Sequence, residues 1–232
     1  MNIVLLIAGG VGSRFGANIP KQFVEINNKP IIAYTLETFQ KAIEIDQIIV
    51  VSVAGWEDYI ERLKDTFSIT KLTHIITGGS SRFESIYKGL TSLEDIADKS
   101  DLILIHDAVR PCVTTNQINS SLRVAKVQGA ALAVASCYDT MFVSRNGTII
   151  DDVFPREELF KGQTPESIQY GIAYNAYKEA EQKGLYIDSP TSLLLKLNIP
   201  VGLSLGSQEN LKITTMEDIA LFKTIIEDGG NE

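Results

Sequence analysis

The sequence predicts an α/β fold, a mostly parallel sheet covered by helices, on three observations. Short apolar runs rich in β-branched residues recur along the chain. Most are separated by longer stretches in which apolar residues return at three- and four-residue intervals, the spacing of one helix face. At 232 residues the chain can bury a full core, and one α/β domain with an extension fits that length. In chain order, Ile3–Ile7 predicts the first strand and Ile31–Ile43 the first long helix. Strands are predicted at Ile48–Val53, His74–Ile76, Leu102–Ile105 and Ala131–Ala135. Helices are predicted at Glu57–Phe67, Ser80–Leu93, Gln117–Gln128, Gly171–Lys183 and Met216–Glu227, each with an apolar stripe for the core. Between Cys137 and Phe160 the rhythm breaks: Thr140–Ser144 and Thr148–Ile150 flank Arg145-Asn146-Gly147, a hairpin signal with Asn-Gly at the turn. That segment is expected to project from the sheet as a β-arm with exposed apolar residues, a candidate dimerisation surface. No fixed-period repeat or low-complexity linker divides residues 1–232.

Composition narrows the function classes. Hydrophobic residues make up 44% of the chain and charged residues 22%, ordinary values for a globular protein, and no apolar run approaches the roughly 20 residues that span a bilayer. The amino terminus runs straight into a β-type segment without the basic and apolar regions of a secretory signal, so a cytoplasmic location is expected. A net charge of −8 opposes a broad nucleic-acid surface, yet a small anionic substrate needs only a few local cations. Cys112 and Cys137 have no metal-ligand spacing and are read as packed thiols.

Chemistry concentrates first at the amino terminus. The strand Ile3–Ile7 runs into Ala8-Gly9-Gly10-Val11-Gly12-Ser13-Arg14-Phe15-Gly16 and then into Pro20-Lys21-Gln22-Phe23. Small residues let backbone N–H groups close on phosphates, and Arg14 and Lys21 add fixed cations suited to charge building on a nucleotide α-phosphate as pyrophosphate departs. Two better-known glycine loops are excluded by offset. Lys21 is not followed by Ser or Thr, as a Walker loop requires, and Phe15 stands where a dinucleotide fingerprint needs its third glycine.

A second element is Leu102-Ile103-Leu104-Ile105-His106-Asp107-Ala108-Val109-Arg110-Pro111. An acid at the carboxyl end of a parallel strand stands where open α/β sheets place ligands, so Asp107 is a candidate Mg²⁺ ligand for metal delivered with a nucleotide. Neighbouring His106 points to the other face and reads as structural, and His74, without a ligand-spaced partner, reads as packed. A third element, Ile76-Thr77-Gly78-Gly79-Ser80-Ser81-Arg82-Phe83-Glu84-Ser85, is a strand, a glycine turn and a capped helix start open to a planar base. Two polar stretches supply further cations: Phe154-Pro155-Arg156 through Lys161-Gly162-Gln163-Thr164-Pro165, and Glu209-Asn210-Leu211-Lys212-Ile213-Thr214.

Together these stretches, AGGVGSRFG, PKQF, GGSSRFES, HDAVRP, GQTPE and NLKIT, resemble the cytidylyltransferases that make CDP-linked polyols, the family of 2-C-methyl-D-erythritol 4-phosphate and ribitol-5-phosphate cytidylyltransferases. The resemblance covers nearly the whole chain. It implies a Rossmann-like doubly wound sheet, a homodimer joined through the arm, and a reaction of CTP with a polyol phosphate that gives a CDP-polyol and pyrophosphate. On matching positions it implies that Ala8, Gly9, Gly10, Gly12 and Ser13 hold the CTP phosphates and ribose, and that Gly79, Ser80, Arg82 and Ser85 meet the cytosine. It assigns charge stabilisation to Arg14, Lys21 and Lys212, Mg²⁺ to Asp107, and the polyol phosphate to Thr140, Arg156 and Thr164, some of them reaching from the partner subunit. No general base is required, because the substrate phosphate is already a nucleophile at neutral pH.

Methylerythritol enzymes usually begin the loop Ala-Ala-Gly and carry Thr-Asp followed by an acid, Ala and Ser in the region of Tyr186–Ser192. Here the loop begins Ala8-Gly9-Gly10, and only Asp188 survives of the second pattern. Those departures, with Gly162 before Gln163-Thr164-Pro165, look more like ribitol-5-phosphate enzymes, although Ser189-Pro190-Thr191 is typical of neither. Ribitol 5-phosphate is the expected substrate and 2-C-methyl-D-erythritol 4-phosphate the alternative. An inactive scaffold paralogue and a hexose-1-phosphate nucleotidyltransferase are the competing classes, and intact Arg14, Lys21, Asp107 and Lys212 oppose the first.

Overall fold

The computed structural model describes residues 1–10 and 19–228. Its first strand, β1 (Asn2–Ala8), is followed past a 3-10 turn at Lys21–Phe23 by a small ribbon, β2 (Glu25–Ile26) and β3 (Lys29–Pro30). Helix and strand then alternate through α1 (Ile31–Lys41), β4 (Gln47–Ser52), α2 (Glu57–Thr66), β5 (Leu72–Thr77), α3 (Arg82–Thr91), β6 (Leu102–Asp107), α4 (Thr115–Gln128) and β7 (Ala130–Ser136). The arm holds β8 (Phe142–Val143) and β9 (Asp152–Val153). Strand β10 (Phe160–Gln169), α5 (Tyr170–Lys183), α6 (Pro190–Lys196), β11 (Gly202–Leu205) and α7 (Met216–Asp228) complete the order.

Seven strands form one sheet in the order β11-β7-β10-β6-β1-β4-β5. Strand β1 pairs parallel with β4 and β6, β4 with β5, and β7 with β11, whereas β10 runs antiparallel to both β6 and β7. Alternation along β1 shows why its residues are nearly all apolar. Val4, Leu6 and Ala8 enter one core with Ile32, Leu36 and Phe39 of α1, Ile60 of α2 and Ile118 of α4. Ile3 and Leu5 enter the opposite core with Phe83, Ile86 and Leu90 of α3, Ala173 and Tyr177 of α5, and Leu193 of α6. Helices on both faces make the sheet doubly wound, as the family resemblance implied. A third cluster, with Ile26, Ile31, Val109, Ile213 and Phe222, docks α7 beside the strand ends.

Most predicted elements lie within two residues of their observed limits. Helix α3 begins at Arg82, not Ser80, because the Ser81 hydroxyl accepts the Glu84 N–H and so caps it from outside. Besides the two-residue strands β2 and β3, three elements escape the sequence reading. Strand β10 was read as a polar stretch. Its Pro165 would ordinarily exclude a central strand, and the structure accommodates it at a register shift between Gln163 and Glu166, after a cis Thr164–Pro165 bond. Helix α6 is short and begins on a Ser189 cap with Pro190 in its first turn. Edge strand β11 has only four residues.

The arm needs a correction. Its ladder pairs Phe142 with Val153 and Val143 with Asp152, so the returning strand is Asp152–Val153 and not Thr148–Ile150. Asn146 explains the difference: its side-chain oxygen accepts the N–H groups of Thr148 at 2.9 Å and Ile149 at 3.0 Å, which winds those residues into the turn. His74 is likewise exposed on the edge strand β5 and not packed. Cys112 and Cys137 are free thiols of intermediate exposure. Among the described residues no helix is long and apolar enough to cross a membrane.

Candidate active site

Parallel strands β1 and β6 end side by side, with Ile7 paired to Asp107. A cavity of about 300 Å³ opens there, lined by Ala8, Gly9, Gly10, Lys21, Gly79, Ser80, Arg82, Ser85, Asp107 and Lys212. Ten of the residues expected at the nucleotide or the reacting phosphates therefore meet in one place, where strand ends in open α/β sheets leave a crevice. Gly12, Ser13 and Arg14 lie outside the described residues.

Local contacts shape each wall. The Gln22 amide donates to the Ala8 carbonyl at 2.6 Å and ties the Pro20–Phe23 turn to the end of β1, while Phe23 stacks flat on Trp56 at 4.3 Å between centroids. Lys21 is thereby held over the cavity, where its Nζ donates to the Ile213 carbonyl at 2.9 Å. On the other side Ser85 accepts the Gly79 N–H at 3.0 Å and donates to the Ser81 carbonyl at 2.8 Å. Ser85 thus shapes the glycine turn from beneath. A Cβ on Gly78 would lie 2.9 Å from its hydroxyl, so glycine is required for that close approach.

Asp107 is the hub. The residue is 6% exposed, and Oδ1 accepts from Arg82 Nε at 3.3 Å and Nη2 at 3.2 Å, while Oδ2 meets Lys212 Nζ at 2.8 Å and Arg110 Nε at 3.8 Å. Burial opposes its ionisation, but Arg82, Lys212 and Arg110 hold it well below the usual carboxylate range. Its backbone N–H donates to the Thr164 hydroxyl at 3.2 Å. Arg82 was expected at the base. The structure instead turns its guanidinium onto Asp107 and Glu166 and, through Nη1, onto the Asp188 carbonyl at 2.6 Å.

A second cavity of about 390 Å³ adjoins the first, and Arg82, Asp107 and Lys212 belong to the linings of both. Its other walls include Arg110, Thr164, Glu166, Asp188 and Thr191. Thr164 is therefore at the site, whereas Thr140 and Arg156 are exposed on the arm and line neither cavity of their own chain. Among the described residues Arg156 donates to the Tyr138 carbonyl alone, at 3.3 Å. Glu209 is exposed and also lines neither cavity.

Three residues at this site were missed. Arg110 follows Asp107 by three positions in the same strand-end motif, which was signal enough to assign it. Its Nη1 donates to the Asn210 carbonyl at 2.7 Å, and burial lowers its pKa. Glu166 closes the GQTPE stretch and Asp188 is what survives of the methylerythritol pattern, yet neither sequence context assigned the acid a role at the site. Burial raises the Glu166 pKa, against the pull of Arg82 and two hydrogen bonds from Thr191.

His106 behaves as the sequence implied. It is fully buried on the opposite face of β6, edge-on to Phe39 at 5.1 Å, with Nε2 placed 3.2 Å from the Arg110 carbonyl, which only an N–H can satisfy.

The chain matches the family model "IspD: 2-C-methyl-D-erythritol 4-phosphate cytidylyltransferase" over residues 2–228. It is 37% identical to a ribitol-5-phosphate cytidylyltransferase of Vibrio parahaemolyticus, over 100% of this chain and 98% of that one. It is 34% identical to a 2-C-methyl-D-erythritol 4-phosphate cytidylyltransferase of Clostridium novyi, over 98% and 97%. In fold it superposes on the 4-diphosphocytidyl-2C-methyl-D-erythritol synthase of Anaerococcus prevotii with a TM-score of 0.85 at 22% identity, covering 98% of this chain and 96% of that one.

Burial pushes the His106 pKa down to about 4. The folded state thus refuses a proton that the unfolded chain accepts near pH 6.5, and stability falls as pH drops from about 6.5 to about 4, by on the order of 3 kcal/mol. Urea unfolding across that window should show this loss, and His106→Gln should flatten the slope. Equal slopes for both proteins would show that His106 is not buried neutral.

Proposed function

This chain belongs to the 2-C-methyl-D-erythritol 4-phosphate cytidylyltransferase (IspD) family and is a CTP-dependent nucleotidyltransferase, and from that premise we propose that it joins CTP to D-ribitol 5-phosphate, giving CDP-ribitol and pyrophosphate. The observation that carries the two-substrate reading is the wall of Arg82, Asp107 and Lys212 common to two adjoining cavities. CTP fits the cavity walled by Ala8–Gly10 and Gly79–Ser80, where backbone N–H groups and small residues suit phosphates and a flat base. The polyol phosphate fits the second cavity, with Arg110 and Lys212 for its phosphate and Thr164 beside them.

Two anions must approach until a phosphate oxygen of the polyol ester reaches the α-phosphorus of CTP. Lys21 and Lys212, with Arg14 as the third expected cation, offset that repulsion and the charge that gathers as the α–β bridge breaks. No side chain need take a proton, since the attacking oxygen is already ionised. Alignment is the remaining requirement, and Asp107 contributes to it by fixing where Arg82 and Lys212 point.

Mg²⁺ is proposed as cofactor, and the donor chemistry of Asp107 fits it: one ionised hard-oxygen ligand at the common wall, whose Oδ2 faces the half-exposed Lys212. When bound there with the nucleotide, the ion supplies charge neutralisation on the phosphates.

Ribitol is favoured over methylerythritol by the second cavity's lining. Among the described residues Leu132 is its only large apolar side chain, beside carboxylate, hydroxyl and amide groups. A straight chain of hydroxyls finds partners there, whereas a methyl branch finds few. The 37% identical relative is named for ribitol 5-phosphate, in keeping with this choice. We further propose that a second copy completes the site. Phe142, Ile149, Ile150 and Phe154 stay exposed on the arm, an apolar surface suited to a twin, and exchange of arms would deliver Thr140 and Arg156 to the neighbouring cavity.

Pyrophosphate release from CTP and Mg²⁺ should show at least a tenfold higher kcat/KM with D-ribitol 5-phosphate than with 2-C-methyl-D-erythritol 4-phosphate, a margin of about 1.4 kcal/mol. The reverse preference would place the enzyme with the methylerythritol relatives, and no release with either would leave a scaffold. Lys212→Ala should lower kcat by about 100-fold. Sedimentation should find a dimer that Phe142→Asp with Ile150→Asp converts to a poorly active monomer. A fully active monomeric wild type would refute arm exchange.

A further inference from the structure

One buried carboxylate in the second cavity has no part in the chemistry above. Glu166 follows the register shift of β10 and is 4% exposed, and both its oxygens are engaged. Oε1 lies 3.5 Å from Arg82 Nη2, while Oε2 accepts the Thr191 N–H at 2.8 Å and the Thr191 hydroxyl at 2.7 Å. Arg82, held between Asp107 and Glu166, donates in turn to the Asp188 carbonyl at 2.6 Å. The Asp188 carboxylate accepts the Phe83 N–H at 3.4 Å, next to Arg82 in the chain. The segment from Asp188 to Ser192 is thereby tied down at both ends by one ion pair: Asp188 by Arg82, Thr191 by Glu166. Asp188, Ser189, Thr191 and Ser192 all line the second cavity.

Burying a carboxylate is costly unless it is paired and hydrogen-bonded, and a bound wall would form more cheaply from apolar packing. What the charge adds is a fixed position. Arg82 is shared between a carboxylate of the common wall and a carboxylate of the outer wall, so the spacing between these walls is set by a rigid, planar cation.

We propose that Glu166 is a positioning residue that determines selectivity for the polyol phosphate, by holding the Asp188–Ser192 wall at the distance that lets its hydroxyl and carbonyl groups meet the hydroxyls of the substrate chain. This rests on the assignment of the second cavity to the polyol phosphate. It makes the outer wall, and not the phosphate contacts alone, the part that separates a straight polyol from a branched one. Glu166 touches no reacting atom, so its effect falls on one substrate and spares the other.

The test is Glu166→Gln, which keeps the shape but offers one acceptor oxygen in place of two, so that either the Thr191 pair or the Arg82 contact is lost. With CTP, Mg²⁺ and D-ribitol 5-phosphate, the KM for the polyol ester should rise by about 10- to 100-fold, the effect of a slight misplacement of bound substrate, while the KM for CTP stays within about twofold. The ratio of kcat/KM between D-ribitol 5-phosphate and 2-C-methyl-D-erythritol 4-phosphate should fall by about tenfold. Thr191→Val, which removes only the hydroxyl contact, should move both readouts the same way by less. A folded Glu166→Gln enzyme with an unchanged ratio, or one whose two KM values rise together, overturns the proposal. If Glu166→Gln does not fold, an unchanged ratio in Thr191→Val overturns it equally. A wild type that turns over neither ester overturns the reading of function first, an outcome separate from an active wild type with indifferent variants.

Discussion

The ionised carboxylate of Asp107, buried at the end of β6, is the constraint on which the site depends. A charge there must be matched, since an uncompensated buried carboxylate costs several kcal/mol and breaking a buried pair costs about 3–5 kcal/mol. Arg82, Lys212 and Arg110 supply the match, and they come from α3, the segment before α7 and the turn after β6. One unfavourable burial therefore gathers two distant cations and one neighbouring one around a point between two cavities. Arg82 is also held by Glu166 and the Asp188 carbonyl, and Arg110 by the Asn210 carbonyl, so neither guanidinium rests on the carboxylate alone. Such an arrangement suits a reaction between two anions, in which positive charge must be in place before the substrates arrive.

The sheet makes that gathering possible. Parallel β1 and β6 end together, and helices on both faces leave the strand ends open. Antiparallel β10 interrupts the parallel order beside β6, and its shifted register brings Thr164 under the Asp107 N–H and Glu166 against Arg82. A parallel strand in that place would meet the site with its carboxyl end; β10 presents its middle instead. The sheet thus provides a loop wall for one ligand and a strand wall for the other.

Much of this was legible in the sequence because two-sided burial writes itself as continuous apolar runs. The residues Leu102–Ile105 announced β6, and Asp107 immediately after them announced the site. Ala8, Gly9, Gly10, Lys21, Gly79, Ser80, Asp107 and Lys212 were brought together as the motif order suggested. Strand β10 was hidden, since the residues it turns to the site are polar and Pro165 argues against a central strand unless a bulge receives it. Glu166 was hidden for a related reason. Its meaning lies in Arg82, 84 residues away, and its place at the end of GQTPE does not by itself say that it is buried or what it holds. The pairing of the Arg82 guanidinium was hidden in the same way: the glycine turn beside it pointed to a base, while the carboxylates it meets lie on other strands.

The most direct measurement is the kcat of Asp107→Asn with CTP and D-ribitol 5-phosphate both saturating, alongside a thermal melt of the same protein. The amide keeps the shape and removes the charge that orients Arg82, Lys212 and Arg110. A folded variant whose kcat is lower by about 100-fold or more is the predicted result. A folded variant with wild-type kcat would contradict the account, because the cations would then find their places without the acid that was held to gather them.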